Sequence, residues 1–173
     1  LWILTPTATT DPSRTDAVRA MAEAAGAVVT EMTPEAHDRA VALTSHTPQV
    51  LASLMAGLIA GASQVDVQLS GQGLRDVTRI AGSNPELWDE ILGANAVEVG
   101  RILDAFAAQL QAVRKALESG ASVREMLHVG NAGRERIPAK HGGPAISDTV
   151  VSVAIDDRPG ALAALFAAAA DAG

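Results

Sequence analysis

The stretch 83–120, SNPELWDEILGANAVEVGRILDAFAAQLQAVRKALESG, decides the fold class. It opens with a helix start, because Ser83 and Glu86 have capping-box spacing and Pro85 suits a first helical turn. A stripe then recurs at alternating steps of three and four: Ile91, Asn95, Val99, Ile102, Phe106, Leu110, Val113 and Leu117. About 35 residues with a rise of 1.5 Å each predict a rod of roughly 50 Å. One small domain does not wrap such a rod, so the pattern predicts a homodimer through the long helices.

A second helix start precedes this stretch at Thr33, Pro34 and Glu35. We expect a helix from Pro34 to about Gly61 with a break at Pro48, because proline lacks the backbone donor and clashes with the preceding turn. Small residues at helical spacing follow the break and let another helix approach closely. They are Ala52, Ala56, Gly57, Ala60 and Gly61.

Residues 1–32 predict the last strands of a parallel α/β sheet. Leu1–Leu4 and Ala27–Met32 have strand patterns, and the segment between them has a helix start at Thr10 or Asp11 and a stop at Gly26. Strand, helix and strand at this spacing are typical of such a sheet. Its glycine-rich phosphate turn is not in the sequence, so we expect the chain to be a fragment of a longer protein.

The C-terminal part predicts smaller elements. Ser122–Glu125 has capping-box spacing and predicts a short helix through Val129, and a glycine-rich and proline-rich linker follows. A strand at 150–155, a turn at 156–160 and a helix at 161–172 come next. The predicted domain limits are therefore 1–32, 33–130, 131–148 for the linker, and 149–173.

The composition argues against several classes of partner. With 13 Lys plus Arg against 20 Asp plus Glu, the net charge of -7 does not favour nucleic acid. Cysteine is absent, which excludes disulfides and thiolate metal ligands and suits a reducing cytoplasm. The most apolar run, 50–62, is shorter than the roughly 20 residues of a membrane span. We therefore predict a cytoplasmic protein with no metal site, no nucleic acid partner and no membrane partner.

A polar cluster interrupts the apolar helix near Pro48. Asp38, Ser45 and Gln49 lie at steps of seven and four, on nearly one line of a helix, with His46 beside that line. One interpretation is a set of cap and surface residues, since a carboxylate in a first turn favours the helix dipole. The other is a binding site, which the proline favours because it breaks the helix where the polar residues cluster.

The segment 71–80, GQGLRDVTRI, predicts a helix that begins at a glycine. Arg75 and Arg79 would share one helical face and repel each other unless an anion or a carboxylate, such as that of Asp76, lies between them. A surface salt-bridge network is one interpretation. Arginine's preference for planar oxyanions favours the other, in which the two guanidinium groups bind a ligand carboxylate.

Four motifs resemble, in order and spacing, the helical-domain signatures of prephenate dehydrogenases. They are His37-Asp38, Ser45-His46-Thr47-Pro48-Gln49, the segment Gly71–Ala81 and the segment Ser83–Trp88. The similarity extends from Leu1 to about Leu117. Residues 149–173 resemble the first strand, turn and helix of an ACT domain, a small module that senses amino acids.

The resemblance implies a mainly α fold. A helical dimerisation domain, similar to the C-terminal domain of 6-phosphogluconate dehydrogenase, would be preceded by the end of a Rossmann-type nucleotide-binding domain and followed by a partial ACT-type βα unit. The implied reaction is the oxidative decarboxylation of prephenate to 4-hydroxyphenylpyruvate in tyrosine biosynthesis, with NAD or NADP accepting a hydride. The family's acid–base histidine is expected upstream of Leu1, so no catalytic residue is expected in this chain, and the cofactor would be bound mainly outside it.

The same resemblance implies site residues. Arg79 matches the family arginine that binds a substrate carboxylate, and His46 and Asp38 line the site. Gln49 replaces a histidine that the family often has, which leaves prephenate and arogenate both open as substrates. The residues expected to reach the pocket across the dimer are Gln72, Arg75, Asp76 and Trp88.

Tyrosine or phenylalanine is the effector that the resemblance to an ACT domain implies. Its expected contacts are Asp157, Arg158, Pro159 and Gly160. Two other interpretations stay open. The chain could be a non-catalytic dimerisation and amino-acid-sensing module, or part of another dehydrogenase with a helical C-terminal domain, which the Arg79 motif disfavours.

Overall fold

The computed structural model describes residues 1–138, 153–155 and 157–171. The contacts divide the chain into two units, Leu1–Ala121 and Ser122–Gly173. Helices dominate the described residues, which confirms the mainly α fold class.

The first unit begins with a small parallel sheet. Strand β1 (Trp2–Leu4) pairs with β2 (Val29–Glu31), and helix α1 (Pro12–Ala24) connects them. Asp11 caps α1, because its Oδ1 accepts the Ser13 backbone N–H at 2.9 Å. The predicted strand–helix–strand unit is thus confirmed, with Asp11 rather than Thr10 as the cap. Strand β1 is not buried within this chain, since Trp2 is 44% exposed.

Gly26 ends α1 in the left-handed region, with φ of 81°. No atom lies within 4 Å of a Cβ placed there, so a side chain would cause no steric clash. Its cost would come from the backbone strain of a positive φ. We expect Gly26→Ala to lower the free energy of unfolding by about 1 kcal/mol. Gly93→Ala is the matched control, because Gly93 has equally open space and a helical backbone, and it should be neutral or stabilising. Urea unfolding of both variants measures the difference, and equal effects would contradict the explanation.

The predicted long helix from Pro34 consists of three segments. Helix α2 (Pro34–Val41) is capped by Thr33, a π-helical segment covers Ala42–His46, and helix α3 (Thr47–Ala60) follows. The break therefore precedes Pro48 instead of lying at it. Pro48 has no N–H to donate to the carbonyl four residues before it. The Thr47 N–H donates to the Ala42 carbonyl, five residues before it, which is the π-helical pattern.

A compact layer packs against α3. Helices α4 (Gln64–Gln68) and α5 (Gln72–Thr78) are followed by a 3-10 turn at Arg79–Gly82, and both α5 and this turn contact α3. Gly71 is the N-cap of α5, as the sequence predicted. Ala52 on α3 is 2% exposed, so its small side chain allows the close approach.

The predicted 50 Å rod is interrupted. Helix α6 (Pro85–Ala94) and helix α7 (Ala96–Glu118) meet at Asn95, whose φ of -119° and ψ of 28° depart from helical values. The single rod was therefore a wrong prediction, and α7 alone is about 35 Å long. The cap of α6 is Asn84, which accepts the Leu87 N–H at 2.8 Å, whereas the Ser83 hydroxyl donates to the Ile80 carbonyl.

Two apolar faces of the first unit are open to solvent. On α7, Val99 is 5% exposed and packs inside the unit, but Leu110 and Leu117 farther along the stripe are 58% and 63% exposed. On α3, Leu54 and Leu58 are 62% and 76% exposed. These faces have the composition of a helix–helix interface, and the described residues of the first unit leave them uncovered.

The second unit contains α8 (Arg124–Glu135) and α9 (Ala161–Asp171). The prediction that the helix ends at Val129 was wrong, because α8 continues through Gly130 and Gly133. Glycine in a helix interior costs only about 1 kcal/mol, and the backbone hydrogen bonds continue. The helix predicted for 161–172 is confirmed over 161–171. Residues 153–155 have no strand assignment, and the rest of that predicted strand, like linker residues 139–148, lies outside the described residues.

The helices of the described ranges include none that is both long and apolar enough to cross a membrane. The predicted domain limits stay predictions, although α8 extends into the segment predicted as a linker.

Candidate functional site

His46 lies at the centre of a cluster that three helical segments form. It is the last residue of the π-helical segment, and its ring meets the Trp88 ring of α6 edge to face, with 6.1 Å between centroids and 83° between planes. Burial lowers the pKa of His46 from its ordinary value, and coulombic repulsion with His37 lowers it further, against the opposing effect of Asp38. The ring is therefore held in its neutral form near pH 7.

Asn95 connects this histidine to α2. Its Nδ2 donates to the Asp38 backbone carbonyl at 2.8 Å and lies 3.2 Å from His46 Nδ1. The side chain is 8% exposed, so these bonds are shielded from water. The sequence analysis missed this residue, because Asn95 was counted as one position of an apolar stripe. A single polar residue at a core position of a helical seam was the signal that could have found it.

Gln49 is a buried amide on α3 with weak partners. It is 5% exposed, its Nε2 lies 3.4 Å from Ser53 Oγ, and its Oε1 lies 3.5 Å from Ser83 Oγ. Both distances are at the limit of hydrogen bonding. The Ser83 hydroxyl has a better acceptor in the Ile80 carbonyl at 2.6 Å, which leaves Gln49 Oε1 without a strong donor. Gln49 therefore has unused capacity to bind a polar ligand.

A concavity of about 390 Å³ opens in front of this amide. Gln49 and Ser53 of α3, Ser83 after the 3-10 turn, and Trp88 and Asp89 of α6 contribute to its lining. Thr47 and Pro48 precede Gln49 at the start of α3, directly after the break, and the buried Thr47 Oγ1 has no hydrogen-bond partner among the described residues. Buried polar side chains without good hydrogen-bond partners are thus concentrated directly after the π-helical segment.

The predicted polar line of Asp38, Ser45 and Gln49 is not formed. Ser45 is exposed whereas Gln49 is buried, so the two do not share a face. The π-helical segment has more residues per turn than an α-helix, which rotates the residues after it away from the predicted line. The Asp38 carboxylate turns to His37, with Oδ1 at 3.1 Å from Nδ1.

The arginine segment is exposed and only partly paired. Asp76 Oδ1 accepts from Gln72 Nε2 at 2.8 Å, and Arg75 Nη2 lies 3.5 Å from the Ser70 carbonyl. The expectation that Asp76 separates the two arginines was wrong, because no ion pair in the described part of the chain joins Asp76 to Arg75 or Arg79, and its Oδ1 is bonded to the Gln72 amide. Arg79 begins the 3-10 turn and is exposed, and no hydrogen bond or ion pair in the described part of the chain involves it. Its guanidinium is available to an anion.

The residues of these two groups are not joined by hydrogen bonds, ion pairs or ring contacts in the described part of the chain, although their helices pack against each other. Hydrogen bonds and a ring contact join His46, Trp88, Asp38 and Asn95, and Gln49 lines the adjoining concavity. Within the described ranges, none of the hydrogen bonds, ion pairs or ring contacts links the 72–79 segment to the His46 cluster.

The family model described as prephenate dehydrogenase, dimerization domain, matches residues 33–129. This range contains α2 to α7 and every residue of the two groups above, and it covers more than half of the chain. The chain belongs to the prephenate dehydrogenase family. The resemblance to prephenate dehydrogenases that the sequence motifs indicated is thereby confirmed.

Members of this family and solved structures resemble the chain over most of its length. A probable prephenate dehydrogenase, NovF, of Streptomyces niveus is 30% identical over 99% of the chain and 51% of that protein. The prephenate dehydrogenase of A. aeolicus, solved in complex with hydroxyphenyl propionate and NAD+, is 32% identical with a TM-score of 0.67, over 76% of the chain and 48% of that structure. An arogenate dehydrogenase of Synechocystis is 28% identical with a TM-score of 0.67, over 78% of the chain and 51% of that structure. The chain thus spans about half the length of these relatives.

The predicted effector contacts lie in the second unit. Residues 157–160 form a bend and a turn directly before α9, and Gly160 has a φ of 89°. The Gly160 carbonyl accepts the Ala164 N–H at 3.0 Å and so begins the helix. The resemblance of this part to an ACT domain, and the roles of Asp157, Arg158, Pro159 and Gly160, stay predictions.

Proposed function

We propose that this chain is the substrate-binding and dimerising part of an NAD(P)-dependent prephenate dehydrogenase, which converts prephenate to 4-hydroxyphenylpyruvate. The observation that carries the proposal is the buried, weakly bonded Gln49 amide in a concavity inside the family's dimerisation domain. A buried polar group with spare hydrogen-bonding capacity is what a site for a polar ring substrate requires.

Arg79 would bind a carboxylate of the substrate. It is exposed and has no hydrogen-bond or ion-pair partner among the described residues, so binding an anion breaks no such bond there. A guanidinium forms two parallel hydrogen bonds to a carboxylate and holds it in a defined plane. Gln49 and His46 would contact the polar groups of the ring, and Trp88 would cover its face. Because no hydrogen bond, ion pair or ring contact among the described residues joins the Arg79 segment to the His46 cluster, we propose that the site is completed when two chains associate.

The nicotinamide cofactor would accept the hydride. We identify no residue of this chain that would contact it. The turn between β1 and α1, residues 5–11 with the sequence TPTATTD, contains no glycine, so it does not fit the close backbone approach that a pyrophosphate requires. We therefore assign no residue of this chain to NAD or NADP. The NAD+ of the A. aeolicus enzyme supports NAD as the cofactor.

Arogenate is the second candidate substrate. The similarity to the Synechocystis arogenate dehydrogenase favours it, and so does the neutral Gln49, where the family often has a histidine. Steady-state assays of the longest natural protein that contains this chain, with prephenate and arogenate and with NAD and NADP, decide between the two. We expect the highest kcat/KM for prephenate with NAD. Failure of both substrates to reduce either cofactor would refute the proposed function.

For the second unit we propose that the turn 157–160 contacts tyrosine or phenylalanine. The proposal is supported by the left-handed Gly160, which lets the chain turn tightly into α9 and exposes backbone groups at the helix start. Addition of either amino acid to the same assay tests it, and unchanged kinetics at millimolar effector would contradict it.

A further inference from the structure

The hydrogen bonds of Asn95 determine which nitrogen of His46 carries the proton. A backbone carbonyl can only accept, so the atom of Asn95 that faces the Asp38 carbonyl at 2.8 Å must be the amide nitrogen. The same nitrogen has a second hydrogen and lies 3.2 Å from His46 Nδ1. Nδ1 must then accept this hydrogen, and the proton of a neutral His46 lies on Nε2.

We propose that Asn95 is a positioning residue that holds His46 as the neutral Nε2–H tautomer, so that His46 offers one N–H donor to an oxygen of the bound substrate. The contact with a substrate rests on the proposed function, whereas the choice of tautomer rests on the geometry alone. Among the described residues the Asn95 side chain has hydrogen bonds to Asp38 and His46, and it acts through the histidine.

The irregular backbone on both sides supports this role. His46 ends a π-helical segment, and Asn95 interrupts the helical dihedral angles between α6 and α7. The two irregularities lie close together, because α7 packs against the π-helical segment and the Asn95 side chain reaches His46. An unbroken α6–α7 helix and an unbroken α2–α3 helix would both change the directions of these side chains.

Burial and the neighbouring His37 act in the same sense, because both lower the pKa of His46. Asp38 is the titratable neighbour that raises it, with a smaller effect. Protonation would place a hydrogen on Nδ1 against the Asn95 donor, so the Asn95 contact also disfavours the charged ring. The edge-on Trp88 ring restricts rotation of the imidazole. No hydrogen bond in the described residues occupies Nε2, which leaves it available to a ligand.

Nitrogen-15 NMR of the whole chain with labelled histidine tests the proposal without a substrate. Long-range proton–nitrogen spectra report on the ring nitrogens of the four histidines, and the loss of one set of signals in His46→Gln assigns His46. We expect His46 to be an Nε2–H tautomer above its pKa, with that pKa below the ordinary histidine value. An Nδ1–H tautomer in the unsubstituted chain would overturn the proposal, and this measurement needs no variant to fold.

Asn95→Asp separates positioning from a purely structural role. It preserves the size of the side chain but replaces the donor near Nδ1 with a carboxylate oxygen, so we expect Nδ1 to become protonated and the pKa of His46 to rise above the ordinary value. Asn131→Asp on α8 adds the same charge at an exposed asparagine and should leave His46 unchanged. A His46 tautomer and pKa that are the same in Asn95→Asp as in the unsubstituted chain would refute the positioning role.

Calorimetry with 4-hydroxyphenylpropionate separates this proposal from the proposed function. We expect binding to the unsubstituted chain, and a dissociation constant about tenfold higher in Asn95→Asp. If the tautomer is as expected but the ligand binds no form of the chain, the proposed function fails and the role of Asn95 toward His46 stands. Equal affinity of a folded Asn95→Asp chain would overturn the donor role of His46.

Discussion

Substitution of Arg79 by alanine is expected to raise the KM for prephenate steeply in the enzyme that contains this chain. Arg79 is exposed and has no hydrogen-bond or ion-pair partner in the described part of the chain, so we expect its removal to leave the fold unchanged and to delete a contact to ligand. The loss of a charge-assisted bidentate contact, with the anion left unpaired, costs roughly 2 to 5 kcal/mol in binding. Most of the loss should appear in KM, with a smaller decrease of kcat from misplacement of the substrate.

Two further variants make the Arg79 experiment specific. Arg79→Lys should restore only part of the affinity, because an ammonium preserves the charge without the planar pair of donors. Arg124→Ala removes another exposed arginine, at the start of α8, and should leave KM unchanged. Affinity for NAD should be the same in all three variants. An unaltered KM in a correctly folded Arg79→Ala enzyme would remove the residue-level support for the proposed site.

Substitution of Leu110 by glutamate is expected to convert a dimer of this chain into a monomer. Leu110 lies on the apolar stripe of α7 and is 58% exposed in the single chain, so its side chain has room for a partner helix. Burial of a leucine contributes about 1.5 to 3 kcal/mol, and a two-fold interface loses this contribution twice. A buried, unpaired carboxylate adds a further cost. The dissociation constant should therefore rise at least about a hundredfold.

Ala108→Glu is the matched control for the dimer experiment. Ala108 is exposed on the opposite side of α7, about 160° around the helix from Leu110. Sedimentation at micromolar concentration should show dimers for the unsubstituted chain and Ala108→Glu, and monomers of unchanged helical content for Leu110→Glu. A folded monomer of the unsubstituted chain at that concentration would contradict dimerisation through these helices.

The positions of helix starts and stops could be predicted because their causes are local. Thr33, Asp11 and Gly71 precede their helices, and Gly26 follows one, as their capping and conformational preferences require. The parallel pairing of β1 with β2 also follows from a local rule, since a strand–helix–strand unit of this spacing returns the chain in the same direction. The end of α8 was misplaced because glycine lowers helix propensity only slightly.

The candidate site was predicted in part. The motifs located His46, Gln49, Trp88 and Arg79 because each belongs to a short segment with a recognisable order of residues. Asn95 was missed, since its partners Asp38 and His46 are 57 and 49 residues away. No local pattern reports a partner at that distance.

The family, the mainly helical fold and the residue types able to bind an anion therefore follow from the amino-acid pattern alone. Tertiary contacts were needed to show that the α2–α3 helix breaks before Pro48, that the rod bends at Asn95, and that Asp38 offers its backbone carbonyl rather than its carboxylate to the site. The physical reason is that local sequence sets which backbone groups lack a partner, whereas packing sets which distant side chain supplies one. Packing encloses the Asn95 amide between α2 and the π-helical segment, and this partner, which local sequence does not report, determines the tautomer of His46.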